Sequence, residues 1–280
     1  MRRALLFGIL LVSAGAVTRA QEEPKPPEKE KSKDAGATGG LSEEEFKALH
    51  DLTDKKPPAP KGTMVDLAGA RAYLSLPEGK PPFPGVVVIH EWWGLNGHIQ
   101  HWSDRLAADG YAALAVDLYE GQVADNRDDA MRYMKGVDAA KAQETLKRAH
   151  AFLKEDARVK AAKRGCIGWC FGGAWTLKQA IATPDLDAAV MYYGQLVLDP
   201  AELKAIRAPL LGIFGNRDKS IPQEKVDEFE KALAAAGVKH KILRYDADHA
   251  FANPSGGRYD EKAAAAAWAE ARTFLAERLK

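Results

Sequence analysis

From residue 62 to residue 280 the apolar positions follow two alternating rhythms. Short unbroken runs such as Gly85-Val86-Val87-Val88-Ile89-His90 have the length and β-branched content of strands buried on both faces. Longer stretches between them space their apolar residues three or four apart and carry charge in between, as amphipathic helices do. The pattern predicts an opening hairpin or meander over 64–76 and strands over 85–90, 112–118, 164–169, 188–193, 209–214 and 240–245. It predicts helices over 99–109, 129–154, from 171 onward, over 222–236 and over 259–279. Strands and helices alternating in this way specify one α/β domain over 62–280, with a mostly parallel central sheet flanked by helices on both faces. No internal repeat interrupts the alternation.

Ahead of residue 62 neither rhythm is present. Arg2 and Arg3 precede an apolar run over 4–17, and Thr18-Arg19-Ala20 offers small residues at the −3 and −1 positions of a cleavage site. Residues 1–20 are therefore expected to be a signal peptide, and the mature chain to be exported to a periplasm or secreted. The run is shorter than the roughly 20 apolar residues a spanning helix needs, so no stable membrane insertion is expected after processing. Over 21–61 the composition turns to Pro, Glu, Lys and Gly with few large apolar residues, which predicts a disordered linker. Within it, Ser42-Glu43-Glu44-Glu45 carries a capping box for no more than a transient turn of helix.

Composition narrows the partners. Hydrophobic residues make up 46% of the 280-residue chain, enough for a substantial core. Forty Lys and Arg against 39 Asp and Glu leave a net charge of +1, so there is no basic field to hold nucleic acid through its phosphates. The two cysteines, Cys166 and Cys170, are too few for a disulfide framework and lack the paired ligand sets of a structural zinc site. A small-molecule partner and a monomeric state are expected.

The most informative motif is Gly168-Trp169-Cys170-Phe171-Gly172-Gly173, lying between a predicted strand and a predicted helix. It has the form of a nucleophile elbow, in which a nucleophile sits on a strained turn and the residues two before and two after it crowd together, requiring glycine at both. The helix N-terminus then favours a thiolate at Cys170, and the Phe171 amide is placed to receive an oxyanion. Such an elbow needs an acid and then a histidine on later strand ends, in that chain order. Gly215-Asn216-Arg217-Asp218 and Asp248-His249-Ala250-Phe251 supply both.

With these segments the chain resembles the dienelactone hydrolase family of α/β-hydrolases across residues 62–280. The likeness rests on Ile89-His90-Glu91-Trp92-Trp93-Gly94-Leu95-Asn96, on Gly110-Tyr111 leading to Asp117-Leu118-Tyr119, on the cysteine elbow, on Tyr193-Gly194, on Gly215-Asn216-Arg217-Asp218 and on His249-Ala250-Phe251. It implies the α/β-hydrolase fold and hydrolysis of an ester or lactone without cofactor or metal. Cys170 is then the nucleophile, His249 the base and Asp218 its orienting acid. Glu91 pairs with the thiol and takes its proton, and the Trp92 amide is the second oxyanion donor beside Phe171. Substrate contacts fall to Trp93, Tyr193, Asn253 and Arg258, with Asn253 at the place, four residues after the histidine, where lactone-opening members carry arginine. A neutral resting thiol resists oxidation, which matters for an exported protein.

Other residues fit blander roles. His90, His98 and His101 could be imagined as a metal site, but no further ligand completes the helix face, and they are expected to be hydrogen-bond partners. Cys166, inside a predicted strand, reads as a small hydrophobe. Competing functions are general carboxylesterase or thioesterase activity, and a non-catalytic or thiol-redox protein on a hydrolase scaffold.

Overall fold

The structure is a computed structural model that describes residues 59–280; the expected signal peptide and nearly all of the expected linker lie outside the described residues. β1 (Thr63–Asp66) and β2 (Arg71–Ser75) form the expected opening hairpin, and β2 also runs antiparallel to β4 (Ala112–Val116). β3 (Gly85–Ile89), β4, β5 (Arg164–Trp169), β6 (Ala188–Tyr192), β7 (Leu210–Gly215) and β8 (His240–Tyr245) pair in parallel. The eight-stranded order is β1-β2-β4-β3-β5-β6-β7-β8. This is the mostly parallel α/β sheet that the pattern predicts, in the α/β-hydrolase arrangement that the resemblance implies.

Helices cover both faces, and the strand side chains sort accordingly. Val87, Ile89, Leu114 and Cys166 pack with Leu146 and Leu153 of α3 (Ala139–Glu155), Leu177 of α4 (Phe171–Ala182) and Phe229 of α6 (Gln223–Ala235). Val86, Val88, Ile167 and Trp169 pack on the other side with Ile99, Trp102 and Leu106 of α1 (Gly97–Ala108) and with Trp268 and Leu275 of α7 (Glu261–Leu279). Every residue of β3, β4, β5, β6 and β7 is buried, which explains their unbroken apolar runs. The edge strand β8 is only partly buried and carries Lys241 and Arg244.

Two elements depart from the sequence pattern. The single helix expected over 129–154 is two, α2 (Arg127–Gly136) and α3. Val137 turns to extended backbone (φ −64°, ψ 120°), and Asp138 caps the new helix by accepting from the amides of Ala140 (2.8 Å) and Lys141 (3.0 Å). Apolar periodicity carries through the break, so the cap was the better signal. The short α5 (Pro200–Leu203) spans too few residues to show a period; its marks are the Asp199 cap and Pro200 at its start.

The chain enters the domain across a polar staple. Asp104 on α1 accepts from the Lys61 amide (2.9 Å) and from the hydroxyls of Tyr73 (2.8 Å) and Ser75 (2.6 Å), while the Gly62 amide donates to the Tyr73 hydroxyl. No helix among the described residues is long and apolar enough to cross a membrane.

Candidate active site

The strand order reverses between β3 and β5, because β4 lies on one side of β3 and the later strands extend from the other. The loops leaving the carboxyl ends of two adjacent parallel strands therefore diverge and leave a crevice between them. Glu91 and Trp92 leave β3 at this point, Cys170 leaves β5, and the loops after β7 and β8 bring Asp218 and His249 alongside.

Cys170 sits on a turn with φ 56° and ψ −112°, a backbone conformation that L residues rarely adopt. A Cβ on Gly168 would run into the Gly172 carbonyl, and one on Gly172 into the backbone carbonyls of Ile89 and His90. Glycine at both places is thus a steric condition for α4 to start so close to β3 and β5.

The three residues singled out by their order form one chain of contacts. The Cys170 Sγ lies 3.1 Å from His249 Nε2, and His249 Nδ1 lies 2.6 Å from Asp218 Oδ2. The other oxygen of Asp218 accepts from the amides of Ser220 (2.7 Å) and Ile221 (3.1 Å). Burial pushes the Asp218 carboxyl up, but the bond to His249, its charge and the two amides outweigh burial and hold it below the usual range. An ionised Asp218 fixes the proton of His249 on Nδ1, leaving Nε2 to accept from the thiol.

Burial pushes the Cys170 thiol up to about 12, helped by the charge of Glu91 and opposed by the Phe171 amide. Desolvation therefore outweighs the α4 N-terminus that was expected to favour a thiolate, and the resting thiol is neutral. Glu91 is itself fully buried, and burial raises its carboxyl to about 7 against the opposing Asn253 amide. Its Oε2 accepts from Asn253 Nδ2 at 2.5 Å and lies 3.7 Å from His98 Nε2. The thiol's hydrogen-bond contact is with His249, while the Glu91 oxygen is held by Asn253.

The expected substrate contacts occupy different positions around this centre. Asn253 is buried with both ends engaged, since its carbonyl accepts from the Ser255 amide at 2.8 Å. It braces Glu91 instead of lining open space. Tyr193 is fully buried with φ 36°, its ring 5.1 Å from that of His249 and 5.5 Å from Phe251, so it backs the histidine. Trp93 is half-buried beside Trp92, the rings 5.0 Å apart, and Arg127 approaches the Trp92 ring at 5.9 Å. Arg258 is exposed, near enough that its charge favours the Cys170 thiolate.

His90 carries more than its motif position announced. Its Nδ1 donates to the Glu91 carbonyl at 2.6 Å and its Nε2 accepts from the Leu118 amide at 3.2 Å, while the ring stacks on Phe171 at 5.4 Å. Burial pushes it down to about 4, so it is a neutral strut tying the loop after β3 to the loop after β4. Both ring nitrogens being committed, it has no lone pair for a metal, and the described residues contain no group of three or more ligands suited to one. His98 Nε2 accepts from Trp102 Nε1 at 3.2 Å. Cys166 is fully buried on the α4 side of the sheet, its Sγ 3.9 Å from the Thr176 carbonyl, and both cysteines are free thiols.

The chain is similar to known proteins over most of its length. The model of the dienelactone hydrolase family matches residues 70–279. The protein usf of Aquifex pyrophilus is 35% identical over 218 residues, 75% of this chain and 94% of its own length. A candidate carboxymethylenebutenolidase of Synechocystis sp. is 30% identical over 226 residues, 74% and 92% of the two chains. Among solved structures, a candidate dienelactone hydrolase of Klebsiella pneumoniae superimposes with a TM-score of 0.72 at 28% identity, over 79% of this chain and 100% of that one. The family model over residues 70–279 and relatives of 30–35% identity, together with a mostly parallel sheet that superimposes on a solved relative, make the chain a hydrolase belonging to the dienelactone hydrolase family.

Proposed function

We propose that the protein hydrolyses a carboxylic ester or lactone through a covalent thioester on Cys170. The observation that carries this is the unbroken contact from Asp218 through His249 to a thiol mounted on a strained strand-to-helix turn. His249 Nε2 takes the thiol proton as Sγ attacks the substrate carbonyl carbon. The amides of Phe171 and Trp92 receive the oxyanion, and the tetrahedral intermediate collapses as His249 returns the proton to the departing alkoxide. In a lactone that alkoxide stays tethered to the acyl group. Water, deprotonated by His249, then cleaves the thioester and restores the thiol. Glu91 keeps the resting thiol protonated, because its charge beside the sulfur opposes a second negative charge.

A thiol-redox role finds no support in the geometry, since Cys166 and Cys170 serve opposite faces of the sheet. General carboxylesterase and thioesterase activities use the same apparatus, so the substrate class is decided by assay. The protein is exported, acts as a monomer and takes a small-molecule substrate. The experiment is a turnover panel of short acyl esters, thioesters and enol-lactones with wild type and Cys170→Ala. Cleavage of an ester or lactone that disappears in the folded Cys170→Ala protein is expected. Turnover retained in that variant overturns the cysteine mechanism.

A further inference from the structure

Two amides stabilise an oxyanion only if both already point at the place where the charge develops. Here the two donors come from separate loops, Trp92 after β3 and Phe171 after β5. The Phe171 amide is held by its place in the first turn of α4, where it has no intrahelical acceptor and faces the Cys170 sulfur. The Trp92 amide has no such helix behind it, and it makes no hydrogen bond among the described residues. Its direction has to be set from elsewhere.

The peptide unit itself supplies the handle. The Trp92 N–H and the Glu91 C=O are the two ends of one planar trans unit and point in opposite directions. Whatever grips the carbonyl therefore aims the amide. Two donors grip it: the Gly94 amide at 3.2 Å, which closes a turn, and His90 Nδ1 at 2.6 Å. The shorter contact is that of His90, and its ring is held on every side. The Leu118 amide donates to Nε2 at 3.2 Å, the Phe171 ring lies nearly parallel to it (15°, centroids 5.4 Å apart), and the Tyr119 ring meets it edge-on at 4.6 Å. These partners also fix the tautomer, since a carbonyl only accepts and an amide N–H only donates. Fully buried and with both ring nitrogens engaged, His90 has no group left for substrate, so what it does for the reaction passes through the peptide it holds.

We propose that His90 is a positioning residue whose Nδ1–H, by holding the Glu91 carbonyl, aims the Trp92 amide at the oxyanion. This rests on the ester or lactone hydrolase reading and adds to it a side chain that acts without touching substrate.

The test compares His90→Asn with His90→Leu. The two replacements have nearly the same shape, and both lose the bond to Leu118 and the ring on Phe171; only asparagine puts a donor where Nδ1 stands. The readouts are kcat and KM for a short acyl ester and KI for a trifluoromethyl ketone. In the ketone adduct the Cys170 sulfur bonds to the carbonyl carbon, the thiol proton passes to His249, and the carbonyl oxygen is left as an anion between the two amides. His90→Leu is expected to lower kcat by about tenfold or more with KM within about threefold, and to raise KI by the factor that kcat falls, as loss of a contact made only in the transition state does. His90→Asn is expected to recover most of both losses. A folded His90→Leu protein with wild-type kcat and KI overturns the assignment. So does a His90→Asn protein as impaired as His90→Leu, which leaves packing as the role of the ring. If His90→Leu does not fold, His90→Asn decides alone: kcat and KI within about threefold of wild type support the assignment, and a loss of about tenfold or more in both overturns it. Wild type that turns over no ester, yet binds the ketone with a KI that depends on the donor at position 90, sinks the hydrolase reading and leaves the positioning role standing. Wild type that forms no adduct overturns the positioning role as well.

Discussion

Substituting Glu91 by glutamine isolates the cost of a buried carboxylate beside the nucleophile. Burial raises its pKa from 4.5 to about 7, so the folded protein binds this proton more tightly than the unfolded chain does. Stability from this group is complete below pH 4.5 and is lost as pH rises through 7. The whole displacement corresponds to about 3 kcal/mol, of which about 2.5 kcal/mol falls between pH 5 and pH 8.5. Glu91→Gln removes the titration and keeps the contact, because an amide oxygen accepts from Asn253 as a carboxylate does. Other groups titrate in both proteins, including His90, whose depressed pKa weakens the fold as pH falls from 6.5 toward 4. Groups that do not feel the Glu91 charge cancel in the difference, and the Cys170 thiol, which does, titrates above the pH range compared. Urea unfolding of wild type and Glu91→Gln at pH 5 and pH 8.5 reads the effect, and the variant should gain about 2 to 3 kcal/mol relative to wild type on going to the higher pH. Stability curves that run parallel in the two proteins refute the claim that burial dominates at Glu91.

Four further outcomes follow from other contacts. The neutral resting thiol predicts that iodoacetamide labels Cys170 far more slowly at pH 7 than it labels a free cysteine, with the rate still climbing above pH 9; fast labelling at neutral pH shows a thiolate instead. Asp218→Asn should leave the circular dichroism spectrum intact while lowering turnover by about three to four orders of magnitude, because the amide no longer holds the proton of His249 on Nδ1; a loss below tenfold contradicts the triad. Gly172→Ala should destabilise by more than about 4 kcal/mol or prevent folding, since its Cβ meets two backbone carbonyls; a melting temperature near wild type rejects that steric account. Protein recovered from its native host should begin at Gln21 on N-terminal sequencing, and a retained Met1 contradicts export with cleavage.

The sequence made the fold legible where strands are buried on both faces, because full burial leaves an unbroken apolar run with no polar position to blur it. β3 and β5 are of this kind, and so the elbow between β5 and α4 could be placed. The histidine and its acid were visible because the order of nucleophile, acid and base is a constraint on the chain itself. What stayed hidden depends on contacts between distant residues. Asn253 reaches Glu91 across 162 positions, and only the folded loop after β8 shows that the amide braces the carboxylate. The same holds for His90, whose two hydrogen bonds make it a strut. The break between α2 and α3 was legible after all in Gly136-Val137-Asp138, a chain terminator and a cap that the apolar period overrode.

The entry staple at Asp104 bears on mechanics. It grips the backbone at Lys61 and the hydroxyl that receives Gly62, beside the hairpin of β1 and β2 at one margin of the sheet. Cys170, Asp218 and His249 hang from β5, β7 and β8, toward the opposite margin. Tension applied through the residues ahead of 61 is therefore borne first by Asp104 and the hairpin, with β4 and β3 still between them and the nucleophile. A pull of this kind meets the staple and the peripheral strands before it reaches the 3.1 Å between sulfur and imidazole.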